Sequence, residues 1–125
     1  MNYDHFVQQV QHHARLSSNG EAVSAIRATL ETLGERLAGG EPKDLAAQLP
    51  REIDNYLPGE GGGERFSLDE FFERVSQKEG ADLPDAVHHA RAVMAVLSEA
   101  VTGGQLQDIR AQLPDEYRRL FEYAA

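Results

Sequence analysis

The chain contains no cysteine among its 125 residues. Disulfides, thiolate metal sites and cysteine nucleophiles are therefore excluded. Positive charge is scarce too: 12 Lys and Arg stand against 21 Asp and Glu, a net charge of −9. Phosphate recognition draws its affinity from basic side chains, so a nucleic-acid-binding surface is not expected. Adsorption to an anionic membrane is disfavoured for the same reason. The charge divides as −3 over residues 1–57, −1 over 58–65 and −5 over 66–125, so acidity is spread along the chain and not held in a tail. No apolar run approaches the ~20 residues that cross a bilayer. The first residues, Met1-Asn2-Tyr3-Asp4-His5, lack the basic and apolar regions of a signal peptide, which implies a cytoplasmic location. Lysine occurs only at Lys43 and Lys78, and arginine carries the other positive charges, a usage typical of a GC-rich bacterial genome.

What the sequence does have is an internal repeat. Ala47-Gln48-Leu49-Pro50 recurs as Ala111-Gln112-Leu113-Pro114, an offset of 64, and Gly39-Gly40 recurs as Gly103-Gly104. Aligning residues 22–57 with 86–121 gives 14 identities in 36 positions, among them Arg27 with Arg91, Glu35 with Glu99 and Asp44 with Asp108. Self-similarity at a fixed offset marks repeated supersecondary units. Two copies imply a pseudo-symmetric pair of units, residues 1–57 and 66–125, joined by residues 58–65 and packed as one domain.

Helical signals run throughout. Tyr3, Phe6, Val10 and Ala14 fall at helical spacing, as do Val23, Ile26, Leu30, Leu33 and Leu37. The second half repeats this with Phe71, Phe72 and Val75, then Val87, Ala90, Met94, Leu97 and Val101. Ser18 with Glu21, and Ser67 with Glu70, have capping-box spacing. Pro42 and Pro84 suit first helical turns. Gly39-Gly40 is expected to end the second helix, and Pro50 to open a fourth. Three consecutive glycines, Gly61-Gly62-Gly63, predict a flexible linker or exposed loop. Sustained period-two alternation is missing, so the fold class is all-α, with three to four helices in each unit.

Several stretches carry a family resemblance. They are Leu30-Glu31-Thr32-Leu33-Gly34-Glu35-Arg36-Leu37, the two Ala-Gln-Leu-Pro motifs, Phe66-Ser67-Leu68-Asp69-Glu70-Phe71, Ala90-Arg91-Ala92-Val93 and Leu120-Phe121. Together they resemble the bacterial family known as domain of unknown function 2267. The resemblance implies an all-helical soluble protein and brings no activity, cofactor or catalytic residue.

Chemistry-bearing residues are few. The sequence lacks a Gly-x-Ser-x-Gly elbow, a phosphate-loop lysine after the glycines and the Glu-x-x-His pattern of di-iron bundles. No catalytic residue or cofactor is expected. Gln48 and Gln112 are expected to bond free backbone groups at helix corners. Arg27 and Arg91 border the apolar stripes, where their heads would pair with a carboxylate, the repeated Glu35, Glu99, Asp44 and Asp108 being the candidates. The leading functional expectation is a non-enzymatic helical interaction module that binds a protein partner or itself. Phe72, Tyr117, Phe121 and Tyr123 are its groove candidates, unless they simply close the core. The rival is a small-ligand or metal-binding regulatory protein using His88, His89 and Arg91. No two of His5, His12, His13, His88 and His89 have the four-residue spacing that places two ligands on one metal.

Overall fold

The computed structural model describes residues 1–123. Its α-helices are α1 (Tyr3–Ala14), α2 (Asn19–Arg36), α3 (Glu41–Ala46), α4 (Leu68–Glu79), α5 (Leu83–Ala100) and α6 (Gly103–Ala111). A 3₁₀ helix at Ile53–Tyr56 follows α3 and another at Asp115–Phe121 follows α6, so one element order occurs twice along the chain. No strand is present among the described residues, and the fold is all-α.

Local chemistry sets the helix starts. Asn2, Ser18, Ser67 and Thr102 each accept a backbone N–H of the first turn that has no partner inside its helix. Pro42 and Pro84 occupy first turns, where a missing N–H costs nothing. The ends differ from expectation. Helix α2 stops at Arg36, before Gly39-Gly40, and Gly39 takes a left-handed turn (φ +63°) in the loop beyond. Gly103-Gly104 opens α6 and does not close α5. The reason is Thr102, which stands where the first half has Ala38 and supplies a side-chain cap, so α6 starts two residues earlier than α3. The expected fourth helices are short 3₁₀ turns; Pro50 precedes the first, and its carbonyl accepts from Asp54 N–H.

Packing mixes the two halves. Helix α1 packs on α2 and on α5, α4 on α5 and on α2, and α3 meets α6. The stripe residues Phe6, Val10, Ile26, Leu30, Leu33, Phe71, Val75, Ala90, Met94 and Leu97 are fully buried in one shared cluster. Burying each large aliphatic side chain contributes about 1.5–3 kcal/mol. Because the cluster draws on both halves, neither half encloses it alone.

The two Ala-Gln-Leu-Pro corners brace each other. Gln48 Oε1 accepts from Thr102 N–H (2.8 Å), and Gln112 Oε1 accepts from Ala38 N–H (2.9 Å) while its Nε2 donates to Ala38 O (3.3 Å). Each glutamine thus satisfies a backbone group of the opposite half, not of its own corner. Gln48 Nε2 also donates to Gln105 Oε1 (3.3 Å), and Gln105 Nε2 donates to Glu41 Oε1 (2.7 Å). Glu41 and Gln105 are equivalent positions at the offset of 64. Burial, with Asp108 and Asp44 nearby, pushes the Glu41 carboxyl above its ordinary range.

The glycine segment is a bound strap, not a flexible linker. Backbone N–H groups of Gly61, Gly62, Gly63 and Glu64 donate to the carbonyls of Gly39, Gly34, Leu37 and Glu35 at 2.9–3.0 Å. The strap so satisfies carbonyls that the end of α2 leaves open. Such close backbone approach has no room for side chains. A Cβ on Gly61 would overlap the Leu37 carbonyl oxygen, and one on Gly62 would lie 2.8 Å from Glu35 O. Gly63 sits at φ +64°, a conformation that favours glycine.

Candidate functional site

The strap, the first 3₁₀ helix and one edge of α2 border an open groove of about 510 Å³. Gly34, Tyr56, Leu57 and Pro58 supply apolar lining, while Glu31, Glu35, Glu60 and Lys78 supply charge. Leu57 is buried and the exposed Pro58 packs over Gly34, so the apolar side of the groove lies against the core.

Two lining residues, Glu35 and Lys78, belong to an ion network centred on Arg74 of α4. Its Nη1 lies 3.2 Å from Glu35 Oε1, and its Nη2 lies 3.2 Å from Glu64 Oε1 and 2.6 Å from Glu70 Oε2. The guanidinium stacks 3.9 Å from the centre of the Phe66 ring. Lys78 Nζ reaches Glu35 Oε2 at 2.8 Å. Burial pushes the Glu35 carboxyl up, but the hydrogen bonds from Lys78 and Arg74 together outweigh it and hold the group below the usual carboxylate range. Among the described residues, Glu31 and Glu60 have no cation within 4.0 Å. The groove therefore offers an apolar lining beside two uncompensated carboxylates. That combination suits an apolar side chain flanked by a cation.

The expected carboxylate pairs of the repeated arginines do not form. Arg27 is exposed and has no carboxylate partner among the described residues; Asp44, Glu99 and Asp108 are exposed as well. Arg91 Nε donates to Arg119 O (2.9 Å), and its guanidinium lies 6.0 Å from the Phe72 ring centre. Arg91 therefore ties α5 to the last 3₁₀ helix through a carbonyl. Glu35, the one repeated acid that is paired, takes its partners from α4.

His88, His89 and Arg91 do not converge. His89 Nδ1 lies 2.5 Å from Glu79 Oε2, with the two side chains only 12% and 6% exposed. His88 stacks on Tyr123 (centroids 6.4 Å, planes 22° apart). His5 and His12 are exposed. Among the described residues, no three His, Asp or Glu side chains are grouped to hold a metal ion. The four aromatic candidates are also dispersed. Phe72 and Tyr117 are buried in the core, Phe121 lies under the Arg110 guanidinium (4.7 Å), and the Tyr123 hydroxyl donates to His13 O (2.8 Å).

The two adjacent histidines are displaced in opposite directions from their ordinary value. The Glu79 hydrogen bond raises His89 above its ordinary value against the effect of burial. Burial, His89 and Arg15 lower His88. A raised histidine contributes stability fully below its unfolded pKa of about 6.5 and loses it as pH rises through the folded value. His89→Gln is therefore expected to cost most stability near pH 6 and progressively less towards pH 9. Urea unfolding of both proteins across that range measures the gap, and a constant gap contradicts the account.

The internal repeat does not point to Lys78 of the groove or to Arg74, which shares Glu35 with it. A signal existed, since Glu70, Arg74 and Lys78 recur every four residues along one face of α4. Gly34 offered a second one, because glycine inside a helix costs about 1 kcal/mol and marks a close approach.

The fold and site define a small all-helical protein built around a strap-bounded groove. The family profile described as "Uncharacterized conserved protein (DUF2267)" matches residues 3–120, and the chain belongs to that family. No curated protein matches it. Among the described residues, no helix is long and apolar enough to cross a membrane.

Proposed function

We propose that this chain is a non-enzymatic helical interaction module that takes a protein segment into the strap groove. The observation that carries this is the groove itself, where core-backed Leu57 and Pro58 stand beside the uncompensated Glu31 and Glu60. The net charge of −9 supports a protein partner over a polyanion. A cytoplasmic, bacterial setting fits the missing cysteine and the arginine-rich composition. Duplication of a unit of about 60 residues fits the sequence repeat, the recurring element order and the reciprocal glutamine bonds.

The test is capture from the native cell, comparing the wild type with a variant carrying Glu31→Lys and Glu60→Lys. Neither glutamate makes an ion pair among the described residues, so the melting temperature of the variant is expected to stay within about 2 °C of wild type. A partner retained by the wild type and lost by the variant is the expected result. Equal capture by both proteins, or capture by neither, rejects the proposal.

A further inference from the structure

We infer that the groove's occupant is the arginine-bearing corner of a second copy of this chain, so that copies associate head to tail. This rests on the proposal that the strap groove is a docking site.

The corner lies around the second Ala-Gln-Leu-Pro motif. Arg110, Leu113, Pro114, Asp115, Arg118 and Phe121 line one hollow there, and Arg36, Arg65 and Glu116 line an adjoining one that shares Leu113 and Pro114. Arg65, Arg110 and Arg118 are exposed. The Arg118 side chain is 76% exposed, and its ion-pair partner among the described residues, Glu122, stands 4.0 Å away at the limit of an ion pair. Phe121, only partly buried beneath Arg110, is an apolar side chain flanked by cations. That is the chemistry the groove requires.

The repeat gives the two surfaces one equivalent pair, Leu57 in the groove and Phe121 in the hollow. The groove lining carries three acids and one lysine, and the corner carries four arginines and two acids, so the two surfaces differ in the sign of their charge. No residue lines both the groove and the hollow beside Phe121, so a single copy can use both at once. Such a heterologous contact builds chains unless a ring closes. The net charge of −9 on each copy opposes approach at long range. At 0.15 M salt the screening length is about 8 Å, which weakens that repulsion while leaving ion pairs at contact distance.

Sedimentation velocity of the full chain at 0.15 M salt, from about 10 μM to about 1 mM, tests this. The wild type is expected to shift from monomer to dimer and larger species as concentration rises. The acid-side variant (Glu31→Lys, Glu60→Lys) and the arginine-side variant (Arg110→Glu, Arg118→Glu) should each associate at least ~10-fold more weakly. The decisive step mixes the arginine-side variant with the acid-side variant. The mixture then holds one wild-type contact and one charge-swapped contact, so association is expected to return where neither variant alone shows it. Should Arg110→Glu perturb the Phe121 region, as helical circular dichroism would show, Arg118→Glu alone serves in its place. Wild type that stays monomeric, variants that associate like wild type, or a mixture that remains monomeric overturns the inference. A monomeric wild type that still captures a cellular protein through Glu31 and Glu60 would overturn self-association alone and leave the interaction module standing.

Discussion

Tyr117→Ala is expected to remove about 3–5 kcal/mol of stability, the range for emptying a fully buried aromatic site. Tyr117 is 1% exposed, and its ring meets Phe71 edge-on with centroids 5.9 Å apart. Its hydroxyl lies 2.7 Å from Phe66 O, to which it donates, and 3.1 Å from Ser67 O. Arg36 Nε donates to the same Phe66 carbonyl (3.1 Å), and the guanidinium lies 5.2 Å from the Tyr117 ring centre. The side chain thus joins the last 3₁₀ helix, the end of the strap and the start of α4. Alanine would leave a cavity and remove one donor from a carbonyl that receives two. Tyr117→Phe separates these effects, because it keeps the packing and deletes only the donor, for about 1–2 kcal/mol. For a chain of this size, each kcal/mol lowers the melting temperature by roughly 4 °C. Thermal unfolding of the two variants checks the ordering. Alanine no worse than phenylalanine would show that the ring does not fill the core as described.

Gly34→Ala should destabilise the protein by roughly 2 kcal/mol, against the usual trend, since alanine in a helix interior normally gains about 1 kcal/mol over glycine. The new Cβ would lie 2.5 Å from Pro58 Cδ and 3.1 Å from its Cγ. A proline ring cannot swing aside, so the strap must lift, and the bond from Gly62 N–H to Gly34 O (3.0 Å) weakens with it. Gly20, in the first turn of the same helix, supplies the control. A Cβ there meets only Ser18 Oγ at 3.8 Å, so Gly20→Ala should be neutral or stabilising. Denaturant unfolding that shows both substitutions moving stability the same way would refute the strap contact.

These two positions also mark where the sequence is legible. Helix starts were readable because capping is local: Ser18 and Ser67 bond N–H groups three residues ahead, and Pro42 and Pro84 act through their own backbone. The apolar stripes were readable because period fixes which face turns inward. The site was readable only in fragments, because its parts meet through contacts remote in the chain. Glycines at 61–63 look flexible by composition, yet their N–H groups find carbonyls of residues 34–39. The repetition of Arg27 as Arg91 suggested a shared ion pair, whereas the two face different surroundings, solvent in one case and the Arg119 carbonyl in the other. For Tyr117 and Phe72 the sequence leaves groove and core both open, because periodicity does not say how many layers cover a face; both are buried.

The exchanged glutamines bear on how the chain folds and unfolds. Gln48 closes a span of 54 residues to Thr102, and Gln112 closes one of 74 to Ala38. Closure entropy grows only with the logarithm of span, so the two differ by roughly 0.3 kcal/mol and neither has a kinetic lead. Both await docking of the α1–α2 hairpin against α4–α5, and both are lost when that docking fails. A partly unfolded state that keeps one hairpin intact would leave its corner backbone groups without the partners that the other hairpin supplies. Intermediates are penalised from both sides, and the chain should cross between folded and unfolded states in a single step.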